Sequence, residues 1–310
     1  MAVTLVEAAK LSTNTLQRGV IETFVQSSSV LDRIPLMNIE GNAYAYNVEA
    51  TLPGVAFRSV NEAYVESTGT VNQRTESLVI LGGDADVDRF IVQTRGNIND
   101  QRAVQTAMKV KAASIKFQDT FINGDVAVDP KAFDGLKKRL VGSQVIDAAT
   151  NGVGPVAGGH DFFDALDALA GAVAGGPDAF YANRAIVSRI LSAGRRVGGA
   201  EMVTEDITGK RVAMWNGVPV LDIGTRADGS QIIGQDEAMG TSADTSSIYA
   251  VRFGQGEGDQ AVTGLTNGGV QVYDLGELQE KPAYRTRIEA YVGVAVFGPG
   301  AARLRGVRNA

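Results

Sequence analysis

The residues of this sequence that could do chemistry are few and lie far apart. The chain has one histidine, His160, and no cysteine. A lone histidine beside Asp161 at a predicted helix start is better explained by capping or solvation than by acid–base or metal chemistry. The lack of cysteine excludes a disulfide framework, a thiolate zinc site and a thiol nucleophile.

Three aspartates and three glycines come nearest to known binding motifs. Asp84, Asp86 and Asp88 are spaced like the start of a calcium loop, but an arginine stands where that loop needs glycine, and alternation places them on the solvated face of a strand. The glycines of FGQGEGD, residues 253–259, are not followed by a helix that could bind a pyrophosphate. We therefore predict that the protein is not an enzyme and has no catalytic, metal or cofactor site.

Length and composition indicate a globular protein. The 310 residues are 44% hydrophobic, enough for one elaborate domain or two interleaved ones. No signal peptide or membrane span is predicted, since the longest apolar run is short. The net charge is −6, with basic excess confined to residues 97–140 and 275–310, which are explained most simply as solvated faces. Tight binding of nucleic acid by a monomer is not expected.

The elements that would position any site are unusually long. Residues 97–124 predict an uninterrupted helix with apolar stripes on two sides, about 38 Å long at 1.5 Å per residue. Residues 284–297 alternate strictly and predict a strand of about 45 Å. Because their lengths match, we expect helix and strand to lie side by side as an elongated platform.

Shorter elements surround this platform. The arm, residues 1–34, is predicted to hold a short helix from Thr15 to Val25. A compact α/β insertion is predicted between the helix and the strand of the platform. The predicted helices of this insertion are 160–174 and 182–193, and the predicted strands of the chain are 43–50, 77–93, 211–223, 230–235, 247–253 and 260–265.

The segment VNEAYVESTGTVNQRTE, residues 60–76, predicts a two-stranded ribbon that turns at Thr68 and Gly69. Its apolar residues are too few to build a core, and an isolated ribbon is marginal in water. A surface from elsewhere must support it, either the body of its own chain or another molecule.

Three stretches resemble the major capsid proteins of tailed bacteriophages. FINGDVAVDPKAFDGLKKRL (121–140) is similar to the segment that closes the spine helix in that family. NGVPVLDIG (216–224) and PAYRTRIEAYVGVAVFGPGAARL (282–304) resemble its G-x-P-V strand and its last long strand. The resemblance implies the Hong Kong 97 capsid fold, an α+β fold.

The parts of that fold follow in order along the chain. The implied parts are an N-terminal arm (1–34), an E-loop hairpin with flanking strands (35–95), a P-domain with the spine helix (96–148), an A-domain (149–275) and a C-terminal P-domain strand (276–310).

In this family the E-loop ribbon lies on a neighbouring subunit, so the resemblance assigns the ribbon residues to an inter-subunit contact. Charged side chains would make salt links and rim hydrogen bonds, and apolar ones would anchor the ribbon. The candidate contact residues are Arg58, Glu62, Tyr64, Val65, Glu66, Val71, Arg74 and Glu76. We also predict that Arg285 and Arg287 of the P-domain make inter-subunit or lumenal contacts.

The function implied is self-assembly into the hexamers and pentamers of an icosahedral virion shell around double-stranded DNA, formed in the host cytoplasm. Portal and scaffolding proteins are implied partners, a decoration protein could reinforce the shell, and contact with packaged DNA would be non-specific. A separate scaffolding chain is expected because the arm begins near Met1. No lysine occurs between residues 11 and 108, so a lysine-based crosslink from the ribbon is not expected.

Two other functions are alternatives to a phage shell. An encapsulin-like compartment would have the same architecture but enclose a cargo enzyme. A small α/β hydrolase or nucleotide-binding enzyme would need convergent titratable groups in a pocket, and the sequence supplies none.

Overall fold

The computed structural model describes residues 28–95, 101–156, 159–197, 203–205 and 211–309. The predicted helix from Thr15 to Val25 lies outside this part of the chain. The strands are β1 (Leu36–Asn38), β2 (Ala43–Thr51), β3 (Thr70–Ser77), β4 (Val79–Asp88), β5 (Val145–Asp147), β6 (Ala179–Ala182), β7 (Val203–Glu205), β8 (Arg211–Trp215), β9 (Val218–Asp222), β10 (Glu237–Met239), β11 (Ser242–Val251), β12 (Val262–Glu277), β13 (Ala283–Val296) and β14 (Ala301–Arg308). The α-helices are α1 (Arg89–Arg95), α2 (Gln101–Asn123), α3 (Leu136–Arg139), α4 (His160–Gly171) and α5 (Arg184–Val197).

The platform predicted from the two long elements is confirmed. A sheet in the order β1-β12-β13-β4 has β13 at its centre, antiparallel to both neighbours. One face of β13 is buried at alternate residues, among them Ile288, Ala290 and Val292, in the same core cluster as Val110 and Phe117 of α2. Because β13 alternates strictly, one face of the sheet is apolar and packs against α2, the spine helix.

The second apolar side of α2 is partly covered by the end of the arm. Val30, Leu31 and Ile34 are almost fully buried in the cluster that contains Phe117 and Phe121. Beyond them, β1 pairs in parallel with β12. The arm therefore belongs to the core of the platform from Ser28 onward.

The second sheet forms the body of the insertion. Its order is β5-β14-β11-β6-β9-β8-β7, with β10 paired to β11. The predicted helices are confirmed as α4 and α5, whose Phe162, Leu166 and Ile190 pack on Phe180 and Leu304 of the sheet. After β13 the chain passes from the platform to the second sheet, in which β14 lies between β5 and β11. The domain bounds stay a prediction. Strand β12 (Val262–Glu277) runs across the bound that was placed at residue 275.

The ribbon differs from its prediction. Its strands are β2 and β3, paired antiparallel from Ala43 opposite Ser77 to Thr51 opposite Thr70, and residues 52–69 form a long irregular tip. The predicted turn at Thr68 and Gly69 is wrong. A Cβ at Gly69 would lie 2.9 Å from the carbonyl oxygen of Thr51, so this glycine allows a close approach of the two strands.

Three other strand predictions need correction. The strand 77–93 ends at Asp88, whose carboxylate accepts a hydrogen bond of 2.7 Å from the N–H of Phe90 and so caps α1. Segment 211–223 is a hairpin, since Asn216 and Gly217 both have positive φ. Segment 230–235 is no strand; Ile232 and Ile233 are instead buried in the core cluster that contains the spine.

Candidate inter-subunit surface

The ribbon tip, residues 52–69, exposes apolar side chains that its own chain does not cover. Every residue from 51 to 70 is exposed. Val55 is 95% exposed, Val65 is 89% exposed and Phe57 is fully exposed. The other large apolar side chains left open there and on the adjoining part of β3 are Leu52, Val60, Tyr64 and Val71. An apolar concentration of this kind on one projection is typical of a surface that another molecule covers.

Local polar contacts give the tip its shape without covering it. Ser67 Oγ donates to the carbonyl oxygen of Gly54 at 2.8 Å, and the N–H of Ser59 donates to Glu62 Oε2 at 2.9 Å. The guanidinium of Arg58 lies 5.2 Å from the ring centre of Tyr64. These contacts all lie within the tip and are exposed, so each contributes little to stability in the free chain.

The structure separates the predicted ribbon contacts into groups. Arg58, Glu62 and Tyr64 form the local cluster of the tip; Val65, Glu66, Val71 and Arg74 are exposed. Their contact with a neighbouring subunit stays a prediction. Leu52, Val55 and Phe57 belong to the same surface but were missed. The run LPGVAF in an otherwise polar segment was the signal that could have identified them.

Glu76 lies at the other end of the ribbon, its root. Both of its carboxylate oxygens accept hydrogen bonds from Arg139 of the same chain, Oε2 at 2.7 Å from Nη2. The pair is nearly buried, with 10% of the arginine side chain and 16% of the glutamate exposed. This residue therefore has an intrachain partner, which sequence reasoning did not foresee; a further contact with a neighbour stays a prediction.

The rest of the root is packed on the platform. Tyr46 is 2% exposed, and its ring meets that of Phe297 edge to face at 4.7 Å. Its hydroxyl donates to the carbonyl oxygen of Val296 at 3.3 Å. Burial raises the pKa of Tyr46, and the charge of Glu76 adds to this effect. The phenol consequently stays neutral and available as a donor.

Arg285 and Arg287 form a ladder of ion pairs with β4, on the face of the sheet opposite the spine. The register places Arg285 opposite Asp86 and Arg287 opposite Asp84. Each guanidinium binds its carboxylate with two hydrogen bonds, of 2.6 and 2.7 Å for Arg285 and of 2.7 and 3.0 Å for Arg287. Lys281 adds a contact of 2.6 Å to Asp86.

The ladder stabilises the ionised carboxylates. Hydrogen bonds from Arg285 and then Lys281 hold the pKa of Asp86 well below its usual range. The hydrogen bond from Arg287 lowers the pKa of Asp84 in the same way. Two of the three aspartates that resembled a calcium loop, Asp84 and Asp86, therefore bind arginines, and Asp88 caps α1. A contact of Arg285 or Arg287 with a neighbouring subunit or with the lumen stays a prediction.

The described residues contain no group of three or more histidine or carboxylate side chains placed to hold a metal ion. Within the same residues, no helix combines the length and apolar character that crossing a membrane requires.

Comparison with known proteins points to shell-forming proteins. Residues 13–157 match the family model of major capsid protein GP7. Over 100% of this chain and 97% of the other, the structure is similar to the holo-SrpI encapsulin complex from Synechococcus elongatus PCC 7942, with 19% identity and a TM-score of 0.66. A search of the curated proteins finds no match.

Two phage-related particles are similar over most of the chain. The capsid of the empty GTA particle is 17% identical, with a TM-score of 0.60 over 91% of this chain and 90% of the other. Mycobacterium phage Bobi is 16% identical, with a TM-score of 0.58 over 98% of both chains. The resemblance stated from the sequence is thereby confirmed: this chain has the Hong Kong 97 capsid fold and is similar to the major capsid proteins of tailed bacteriophages.

Proposed function

We propose that this protein is a major capsid protein whose copies assemble into hexamers and pentamers of an icosahedral shell around double-stranded DNA. The observation that carries the proposal is the uncovered apolar surface of the ribbon tip. Fully burying one Val or Phe side chain contributes about 1.5–3 kcal/mol. A tip such as this one gains that free energy only when another molecule covers Val55, Phe57 and Val65.

The partner that fits best is a second copy of the chain. A ribbon that projects from one subunit onto a different surface of the next makes a heterologous contact, and such contacts close into rings when the rotation permits. Moderate contacts repeated many times allow misplaced subunits to dissociate before the shell is complete. The exposed polar side chains of Glu66 and Arg74 then supply the rim of the interface.

The outer edge of the platform offers a receiving surface. β4 is the edge strand of its sheet, and Ile80 on it is 73% exposed. A groove of about 150 Å³ lies beside this strand and is lined in part by Leu81, Phe117 and Phe133. The groove also has Lys116, Asp129 and Lys131 in its lining, so it combines apolar and charged groups as the ribbon tip does. A mixed groove along a sheet edge suits an extended segment, so we assign the ribbon tip of a neighbour to it.

The remaining parts of the proposal follow from the charge and from the resemblance. The net charge of −6 suits a container, because a strongly basic lining would retain packed phosphates. DNA contact would be non-specific, and the protein would have no catalytic role. Portal and scaffolding proteins, and a decoration protein on the virion surface, would be its partners, with assembly in the host cytoplasm. The shell would be non-covalent at the ribbon, and particles boiled in detergent should release only monomers.

Electron microscopy of the purified protein tests the proposal. We expect closed shells from the natural sequence and free subunits or rings from Phe57→Ser. The matched control is Val141→Ser, which changes an apolar residue that is 64% exposed and lies outside both the ribbon and the groove. Normal shells from Phe57→Ser, or equal losses from both variants, would contradict a role specific to the ribbon.

A second candidate is a compartment that encloses a cargo enzyme. The similarity to the holo-SrpI encapsulin over the whole chain favours it. The two functions predict different contents, so purified particles should be analysed for nucleic acid and for copurifying protein. Packaged DNA supports the virion shell, whereas a stoichiometric cargo protein in particles without DNA and without a portal vertex supports the compartment.

A further inference from the structure

Helix α3 is fixed to the end of the spine by apolar and backbone contacts. Leu136 and Leu140, one turn apart, are 1% and 3% exposed in the platform core. The N–H of Gly135 donates to the carbonyl oxygen of Gly124 at 2.8 Å. A Cβ at Gly135 would lie 2.6 Å from the carbonyl oxygen of Ile122, so only glycine fits there. The single turn of helix is therefore a rigid mount for its outward side chains.

Those outward side chains are the basic triplet, Lys137, Lys138 and Arg139. Successive residues of a helix point about 100° apart. The three consecutive cationic side chains therefore extend from α3 in three directions. Each of them contacts an acidic side chain in a different part of the fold.

Arg139 reaches the root of the ribbon. Its Nη1 and Nη2 bind the two oxygens of Glu76, and its Nε donates to the carbonyl oxygen of Asp134 at 2.5 Å. A two-pronged pair of this kind fixes angle as well as distance. Glu76 is also within 3.4 Å of the Tyr46 hydroxyl, which ties both strands of the ribbon to the same arginine.

Lys137 reaches the second sheet. Its Nζ lies 3.3 Å from Glu237 Oε1 on β10. That carboxylate also accepts hydrogen bonds of 2.5 Å from Arg303 on β14 and from Ser247 on β11. Burial raises the pKa of Glu237, but the hydrogen bond from Ser247 and the charge of Arg303 outweigh it, so the pKa is lower than usual. Glu237 is thus an ionised centre that joins three strands to α3.

Lys138 stays near the end of the spine. Its Nζ lies 2.5 Å from Asp125 and 2.9 Å from Asp134, both in the loop between α2 and α3. More than a third of the lysine side chain is exposed. This contact closes the loop on itself and joins no second part of the fold.

We propose that the basic triplet is a positioning junction, in which Arg139 sets the direction of the ribbon and Lys137 sets the seat of the second sheet on the spine. Purely apolar contacts at the root tolerate rotation because they have no fixed direction, and the hydrogen bond of Tyr46 to Val296 fixes only one point of β2. The forked pair of Arg139 and Glu76 does not tolerate such rotation. In a shell, the basic triplet would determine where the ribbon tip contacts the neighbouring subunit. This consequence rests on the proposed function.

Hydrogen exchange in unassembled subunits tests the junction without reference to any shell. In Arg139→Met we expect the amides of β2 and β3 to exchange about tenfold faster, with β11 and β14 unchanged. In Lys137→Met we expect faster exchange in the second sheet, centred on β10, and unchanged exchange in β2 and β3. Lys138→Met is the matched control, one residue away, and should change only the loop 124–135.

A purely structural role for the pair would raise exchange throughout the chain in proportion to the loss of stability. That result, or a ribbon unchanged in Arg139→Met, would overturn the proposal. If Arg139→Met does not fold, Arg139→Lys keeps the charge and loses the fork. It should give an intermediate effect confined to the ribbon, and an Arg139→Lys variant identical to the natural protein would equally overturn the idea.

Particle images separate this proposal from the proposed function. If the natural sequence forms shells, Arg139→Met should form aberrant or open ones while Lys138→Met forms normal ones. Normal shells from Arg139→Met would refute the landing role. If the natural sequence forms no shell, the proposed function fails and the exchange pattern still decides the junction.

Discussion

The root and the tip of the ribbon differ in how far their own chain completes them. At the root, Tyr46 is 2% exposed and Glu76 is bound by Arg139. At the tip, Phe57 and Val55 are open to solvent. Root and tip belong to the same ribbon, so the difference lies in what surrounds them. The subunit fixes the start of the ribbon firmly and leaves the far end to be covered from outside.

The largest expected effect contrasts a tyrosine at each end. Tyr46→Ala removes a buried aromatic side chain with its contact to Phe297 and should lower the free energy of unfolding by about 3–5 kcal/mol. Tyr64→Ala at the exposed tip is the control and should change it by about 0.5 kcal/mol or less. Urea unfolding of unassembled subunits measures both. Equal losses in the two variants would remove the contrast between root and tip.

An intermediate effect is expected from acid, which acts on the platform that carries the root. The pKa values of Asp84 and Asp86 are lowered in the folded state, so their stabilisation is full above the unfolded value of about 3.9. It is lost as pH falls below about 4 through the folded values. About a quarter of each carboxylate side chain is exposed, so solvent screens both pairs and keeps the loss of stability smaller than that expected for Tyr46→Ala.

The double variant Asp84→Asn with Asp86→Asn is the control for this acid effect. It should be less stable than the natural protein at pH 7, and its stability should fall less steeply between pH 5 and pH 3. Urea unfolding at a series of pH values measures the slope. An unchanged acid slope in the double variant would show that other carboxylates dominate.

The smallest effect on the subunit is expected at the tip. Phe57→Ser should leave the free energy of unfolding within about 0.5 kcal/mol of the natural value, since the exposed side chain buries no surface in the free subunit. Assembly should nevertheless fail or need much higher protein concentration. Light scattering against concentration, beside the unfolding curve, gives both quantities for one variant. A destabilised subunit would mean that Phe57 packs on its own chain in solution.

The long elements were predictable because local pattern determines them. The spine and β13 have uninterrupted periodicity, and burial of one face follows from it. The bounds of the ribbon were not predictable, because β2 and β3 are joined by an irregular tip rich in β-forming residues. Gly69 has the composition of a turn but serves a close approach of strands.

The intrachain partners of the site residues depend on contacts distant in sequence. Arg285 meets Asp86 across 199 residues, and Arg139 meets Glu76 across 63. Nothing local indicates either pairing. The tip residues Val55 and Phe57 carried a usable signal, an apolar run without periodicity between polar neighbours, whose meaning depends on the surface that covers it.

The most direct test uses a single thiol at the tip, which is unique because the natural sequence has no cysteine. In Val55→Cys, the rate of thiol labelling is measured in unassembled subunits and in purified particles, with overall particle integrity checked by microscopy. We predict fast labelling in the subunits and strong protection in the particles, since a neighbouring copy covers the tip. Equal labelling rates in intact particles and free subunits would contradict the account.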